Sequence, residues 1–468
     1  MNHLKRNIKS ACLVLIILLL LQMGYFYYNL FLYSDRWFSD PNNTRIRIDM
    51  IDPDIIPGRI MDRNHRILVE TKSVTGRNGI TTYYRDYHSY SKFAAHIVGT
   101  KRYGIGAEAF YIRYLLGYDN NLIERIYQKA FMDQEVGNNV ILTIDVELQK
   151  FISEAMGTKK GSVVVMNPET GEILAMVSKP SFDPAKEGEK PADESLLNKA
   201  SYGRYPPGST MKLVTAAAAL EFMEDIDNYI VECNGETVIN GVKVTCYGGE
   251  AHGKVDLSQA MVYSCNAFFA QVSCEMGWKK LKKTGENFGF NKDFLFSDIR
   301  TTSSQLPIER WTDDEELAWS GVGQGNALVS PLHMAMIASA VANNGVMMEP
   351  KLIHGIETRS GRIRFHESSV FKQPISAQTA NKLTNIMIDA VKKGTGKKAD
   401  ITDVQIAGKT GTAEVGENKK PHAWFIGFAP AEKPTLVVTV VLENTGTGGS
   451  NAAPLAGKIV QKAFGMGY

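Results

Sequence analysis

The chain has 468 residues, a formal net charge of +2 and an isoelectric point near 8.1. That balance gives no electrostatic reason to expect a nucleic-acid partner, and a hydrophobic share of 44% is that of a globular protein, not a disordered one. The length exceeds one ordinary core, so two domains behind an anchor are expected.

In chain order, residues 1–10 carry Lys5, Arg6 and Lys9. They precede an uncharged run from Ala11 to Leu32 that is long enough to cross a bilayer. Basic residues before the span put residues 1–10 in the cytoplasm and the remainder outside. A cleaved signal peptide competes, but the run is long for one, and Gln22-Met23-Gly24-Tyr25 is a poor cleavage site. A buried core helix is disfavoured because no face of the segment is polar.

Tyr33 to Pro57 mixes Asp, Asn and Pro, as an extended stalk does. Arg59 to Glu70 reads as two short strands about an Asn-containing turn, and Gly106-Ala107-Glu108 opens a helix through Phe110, Ile112, Tyr114 and Leu115. Val140 to Asp145 begins a second domain, with Asp145 or Thr143 capping a helix through Leu148, Phe151 and Ile152. Ser162 to Met166 and Ile173 to Val177, joined by Asn167-Pro168-Glu169-Thr170-Gly171, read as a hairpin of buried strands. Val255 to Phe269 looks helical, with Asp256 as N-cap. The last strands are Ala423 to Phe428 and Leu436 to Leu442, and a helical pattern covers Leu455 to Phe464.

Tyr205-Pro206-Pro207-Gly208-Ser209-Thr210-Met211-Lys212 stands before an alanine-rich stretch. The prolines and glycine cannot continue a helix backwards, so a helix is expected to begin close to Ser209. Lys212 follows one turn later, where the hydroxyl and amine can share one face as nucleophile and base. A lysine serves as a base only when partly neutral, which burial can arrange. The spacing recurs at Ser89 to Lys92 and Ser369 to Lys372 without the Pro-Pro-Gly lead or the alanines, and both are read as coincidences. Two further motifs follow, Ser264-Cys265-Asn266 and Lys409-Thr410-Gly411-Thr412. The latter lies in a strand-like segment, whereas the decoy Lys283-Thr284-Gly285 ends a lysine-rich helix.

In that order the three motifs match the pattern of penicillin-interacting serine enzymes. The chain resembles the class B penicillin-binding proteins, monofunctional D,D-transpeptidases of bacterial peptidoglycan synthesis. Further segments carry the resemblance: Gly58 to Asn64, Gly161 to Asp183, Gly321-Val322-Gly323-Gln324-Gly325 with Ser330-Pro331-Leu332, and Ala423 to Phe428. It covers most residues from about 58 to 445.

The resemblance implies an α/β penicillin-binding transpeptidase fold, a central antiparallel sheet flanked by helices plus a helical subdomain. The organisation expected is a tail (1–10), a transmembrane helix (11–32), a stalk and an α+β pedestal without chemistry of its own (33–140), and the transpeptidase domain (141–468). It also implies that Ser209 is acylated by a stem peptide after Lys212 takes its proton. Ser264 would pass a proton to the leaving amine, and Asn266 would bind the acyl side chain. Lys409 would supply positive charge, Thr410 and Thr412 would bind the substrate carboxylate, and Gly411 would allow close approach. The N–H groups of Ser209 and Thr412 would form the oxyanion hole. β-Lactams would acylate Ser209, and glycan polymerisation would come from a partner membrane glycosyltransferase. Catalysis needs no cofactor. Alternatives are a β-lactamase or β-lactam sensor, and a catalytically weak scaffold of the synthesis complex.

Among five cysteines, Cys233 and Cys246 with His252 form a C-x12-C-x5-H spacing. An extracytoplasmic pair can form a disulfide, and two thiolates with an imidazole are three quarters of a tetrahedral zinc site. Structural zinc therefore competes with a disulfide or free thiols, and the sequence names no fourth ligand.

Overall fold

The protein is described by a computed structural model covering residues 2–38, 55–120, 135–186, 191–416 and 419–468, with Glu124, Ile126 and Ala130 between. Most of the expected stalk, residues 39–54, lies outside these. The N-terminal helix Asn2–Phe38 runs past the expected end at Leu32. Within it Lys9–Leu30 is apolar enough to span a membrane, and none of that window is buried against protein. Exposed Leu, Ile and aromatic side chains from Leu13 to Tyr28 belong in lipid, and the chain is membrane-anchored.

The first module is built on a six-stranded sheet, in the order Ile363–Phe365, Ile353–Glu357, Asn139–Leu142, Ile60–Met61, Ile67–Thr75 and Thr81–Tyr87. Its expected first turn forms because the Asp62 carboxylate accepts the N–H groups of Asn64 and Arg66 at 2.9 and 2.8 Å. The division expected at 140/141 runs through the strand Asn139–Leu142, and two strands of the sheet come from residues 353–365. Strands from far along the chain thus complete this sheet. The helix expected from Gly106 is broken into Ala107–Phe110 and Ile112–Leu115, where the buried Tyr111 hydroxyl donates to Asp298 O at 2.6 Å.

The second sheet has five strands, all antiparallel: Ala407–Ala413, His422–Ala429, Leu436–Leu442, Gly161–Met166 and Ile173–Lys179. Early and late strands thus pair. Gly161–Met166 and Leu436–Leu442 are buried at every position because both faces are covered, which is why they read as unbroken apolar runs. Val438 and Val440 pack with the helices Val146–Met156 and Gly448–Phe464, whereas Val437 and Val441 face the core shared with Pro331–Ala342. Asp145 caps Val146–Met156, accepting from Glu147 and Leu148 N–H, while the Thr143 hydroxyl instead donates to Ile173 O and Lys351 O. The helices Lys212–Phe222, Leu257–Tyr263, Asn266–Met276 and Asp314–Val322 pack on one another, the turn Gly208–Thr210 ahead of the first meets the strand Ala407–Ala413, and the cleft forms there.

Candidate active site

The α-helix after Ser209 begins at Lys212, and Ser209 lies in a 3-10 turn, Gly208–Thr210. Gly208 reverses the chain at φ +53°, a left-handed conformation that glycine adopts without strain. A Cβ there would lie 2.7 Å from Thr412 O, and one on Gly323 (φ +93°) would lie 1.9 Å from Gly208 O. The turn is thus pressed between the strand Ala407–Ala413 and the loop after Asp314–Val322, with Gly208 N–H donating to Gly323 O at 2.8 Å. Those contacts give the Gly321 to Gly325 segment its physical role.

The helix expected over Val255 to Phe269 is two helices, Leu257–Tyr263 and Asn266–Met276. Asp256 caps the first with a reciprocal Gln259 contact, and the Cys265 thiol accepts Phe268 N–H at the start of the second. Ser264 breaks the run at φ +60°, a strained conformation for a residue with a Cβ, which turns its hydroxyl and the Asn266 amide toward Lys212. Lys212 is fully buried, and its Nζ donates to Ser264 O at 2.7 Å and Asn266 Oδ1 at 2.6 Å while lying 3.3 Å from Ser264 Oγ. Lys409, equally buried, donates from Nζ to Ser264 Oγ at 2.9 Å and to Thr410 O at 3.0 Å.

Burial pushes the Lys212 ammonium down to about 7, and burial with the nearby Lys212 charge pushes Lys409 well below its ordinary value. Two ammonium groups meeting on one hydroxyl repel, so the pair holds one proton more readily than two. Lys409 thus stands beside Ser264 with its ammonium form disfavoured by burial. Asn266, expected to hold an acyl side chain, has its amide engaged on both ends, with Nδ2 donating to Thr245 O at 2.7 Å.

Ser209, Ser264, Asn266, Thr410 and Thr412 line one cleft of about 780 Å³, with Tyr247, Trp319, Lys397 and Glu414 on its walls. Ala407–Ala413 is the sheet's edge strand, so an extended peptide can meet its outer side, where Thr412 O accepts Gln324 Nε2 at 3.4 Å. Thr410 Oγ1 lies 2.5 Å from Thr395 Oγ1, and Thr412 Oγ1 accepts Gly448 N–H at 3.3 Å. Gly411 is held between Thr210 and Trp424, where a Cβ would approach within 2.9 and 3.0 Å. The decoys lie elsewhere: Lys283 to Gly285 sits inside the helix Trp278–Phe288, and the Ser369 hydroxyl donates to Glu349.

A supporting network lies behind the nucleophile turn that the motifs did not reveal. The Tyr205 hydroxyl donates to Glu443 Oε1 at 2.7 Å, and Lys199 Nζ reaches Glu443 at 2.8 Å and Glu194 at 2.9 Å. Trp424 Nε1 donates to Pro206 O at 3.1 Å, so Tyr205 and Pro206 are both fixed from outside the turn. Only the family-like context of Trp424 hinted at it, because Glu443 is one acid among many in the sequence. Replacing Glu443 by Ala is expected to lower stability by about 3 kcal/mol, because Lys199, with only 5% of its side chain exposed, loses its better-buried partner. Thermal melting of the variant checks this.

The Cys233 and Cys246 thiols and the His252 imidazole, separated in sequence, come together, and Cys265 joins them as a fourth donor. Sequence reasoning missed Cys265 because it was occupied as the middle of another motif. Glu70, Asp86 and His88 form a second, half-buried cluster, in which Lys72 Nζ lies 2.5 Å from Asp86 and Arg59 Nε 3.4 Å from Glu70, so both acids are paired.

Residues 161–461 match the sequence profile of the penicillin binding protein transpeptidase domain. The chain is 32% identical over 504 aligned positions to peptidoglycan D,D-transpeptidase PbpA of Mycolicibacterium smegmatis, covering all of both chains. It is 33% identical over 365 positions to peptidoglycan D,D-transpeptidase MrdA of Haemophilus influenzae, covering 69% of this chain and 56% of that one. Among solved structures it is similar to penicillin-binding protein A from M. tuberculosis as a ceftriaxone acyl-enzyme, with a TM-score of 0.80 and 30% identity over 89% of this chain and 99% of that one. The penicillin G acyl-enzyme of the same protein gives 0.79 and 30% over 87% and 99%.

Proposed function

The chain belongs to the class B penicillin-binding proteins and is a serine peptidoglycan D,D-transpeptidase inhibited by β-lactams; from that premise we propose that Ser209 is its acylated residue, Lys212 its base and Ser264 its proton carrier. The observation that carries this assignment is Ser264 Oγ standing between Lys212 Nζ and Lys409 Nζ at 3.3 and 2.9 Å, in the cleft that Ser209 lines.

Neutral Lys212 accepts the Ser209 proton as Oγ attacks the carbonyl between two D-alanines of a stem peptide. The oxyanion is met by the N–H groups of Ser209 and Thr412. Lys212 hands the proton through the Ser264 hydroxyl to the departing amine, and terminal D-alanine leaves. An amine of a neighbouring stem attacks the acyl-enzyme, Ser209 Oγ regains a proton, and the cross-link is complete. Thr410 and Thr412 hold the substrate's terminal carboxylate beside the edge strand. A β-lactam acylates Ser209 in the same way, but its amine stays tethered by the opened ring and blocks the incoming one.

The pH dependence follows from Lys212. Its group is pushed down to about 7, and only the deprotonated form accepts a proton, so acylation by benzylpenicillin is expected to rise about tenfold per pH unit below 7 and level off above it. Stopped-flow rates across that range test the assignment, and a flat or falling profile would remove Lys212 as the base. The positive charges ahead of the span support a cytoplasmic N-terminus and an extracytoplasmic cleft. Since this activity joins peptides and makes no glycan, a membrane glycosyltransferase is its proposed partner.

A further inference from the structure

On the outer side of the strand Ala407–Ala413, Thr412 presents its main chain to the cleft. A Cβ on Gly208 would lie 2.7 Å from Thr412 O, so that carbonyl points away from the neighbouring strand His422–Ala429 and toward the nucleophile turn. The N–H and C=O of one strand residue leave on the same side, so Thr412 N–H faces the cleft as well. An antiparallel partner fills such a position with a single residue, which accepts the N–H on its own carbonyl and gives its own N–H to the strand's carbonyl. With the attacked carbonyl on Thr412 N–H, the N–H of the same substrate residue therefore belongs on Thr412 O. In a stem peptide that residue is the penultimate D-alanine. In a penicillin the matching N–H is that of the acylamino side chain.

That carbonyl is already taken. Gln324 lines the cleft, and its Nε2 donates to Thr412 O at 3.4 Å. The backbone under this side chain is fixed: Gln324 N–H donates to Trp319 O at 2.9 Å, Gly323 O accepts Gly208 N–H at 2.8 Å, and Asn326 N–H donates to Glu316 Oε1 at 3.2 Å. Gly323 and Gly325, at φ of +93° and +68°, turn the chain on either side of it. The side chain itself is held by less. It is half-buried, and its bond to Thr412 O is longer than the usual range of about 2.7–3.2 Å. A fixed backbone under a loosely held amide lets the side chain swing away without disturbing the nucleophile turn.

We propose that Gln324 is a stand-in for the substrate's N–H, occupying Thr412 O in the free chain and yielding it to the residue whose carbonyl Ser209 attacks. The close packing of Gly208 against Thr412 O leaves room there for one donor, so the amide and the substrate N–H exclude each other. The exchange keeps a main-chain carbonyl of the edge strand paired while the cleft is empty. It also makes Gln324 a specificity-determining residue. A ligand with an N–H next to its reacting carbonyl displaces the amide and takes over its bond, whereas a ligand without one leaves Gln324 in place and gains nothing from Thr412 O. This role rests on the Ser209 acylation reading above.

The test compares two acylating ligands on the full chain in detergent. Gln324→Met keeps an unbranched side chain of similar length and removes the donor. Benzylpenicillin carries the acylamino N–H, whereas imipenem carries a hydroxyethyl group at the same ring position and no such N–H. The readout is the ratio of their second-order acylation rates, which a general loosening of the cleft would leave alone because it moves both rates together. In the variant the ratio is expected to rise about threefold in favour of benzylpenicillin, through a faster benzylpenicillin reaction with the imipenem rate unchanged. An unchanged or lower ratio overturns the stand-in role. Peptide mass mapping of the adduct on the parent separates this result from the reading it rests on. An adduct away from Ser209 refutes the acylation reading, and an adduct on Ser209 with an unchanged ratio refutes the role of Gln324 alone.

Discussion

The Ser209→Ala chain is expected to take no covalent label from a fluorescent penicillin, and its transpeptidation is expected to fall by on the order of 10⁴-fold or more. The change removes the atom proposed to form the acyl bond. Ser209 is half-buried in its turn, which is held by Gly208, Thr210 and Pro207, so alanine leaves the turn and the melting temperature intact. Intact mass of the full chain after benzylpenicillin reads the result directly. A single stable adduct on the parent and none on the variant is the expected pair. Label retained by the variant removes Ser209 from the chemistry. An adduct that is quickly lost points to a β-lactamase, and none on the parent points to a scaffold.

Lys212→Met is the second large effect, with acylation expected to slow by about 10³-fold. Methionine fills the same buried, unbranched channel, so the loss reports the amine and not a cavity. It takes away the donor to Ser264 O and Asn266 Oδ1 and, with it, the proposed base for the Ser209 proton. The residual rate is expected to lose its rise through pH 7, because the group that titrates there is gone. Stopped-flow acylation over the same pH range measures both changes. A variant that acylates at the parent's rate would show that the base is another group, with Lys409 the next one to replace.

Much of this chemistry was legible in the chain. The Pro-Pro-Gly lead, the alanine-rich helix and a glycine within the third motif are local signals, and local sterics dictate their consequences whatever the rest of the protein does. The hairpin of Gly161 to Lys179 and the buried strand Leu436–Leu442 were legible for the same reason, since strands covered on both faces show as continuous apolar runs.

What the sequence misjudged was non-local. A helix drawn through Val255 to Phe269 has good periodicity, yet Ser264 is left-handed where Lys212 and Lys409 both reach it and Cys246 Sγ meets the next residue, Cys265. The helix start moved from Ser209 to Lys212 because Gly208 is pinned by Thr412 and Gly323, residues more than a hundred positions away. A boundary at 140/141 looked natural in one dimension but falls inside a strand whose partners come from both ends of the chain.

By itself, then, the sequence determined an N-terminal helix long and apolar enough to cross a membrane, the three motifs and the family, because hydrophobic run length and short turn chemistry act within a few residues of each other. Only the tertiary structure decided that two lysines share one hydroxyl; burial lowers the affinity of each for a proton, and the Lys212 charge lowers that of Lys409 further. It alone also brought Cys265 to Cys233, Cys246 and His252. Charge, coordination and steric exclusion act through distances of a few ångströms in space, and spacing along the chain does not record which distant residues folding will place there.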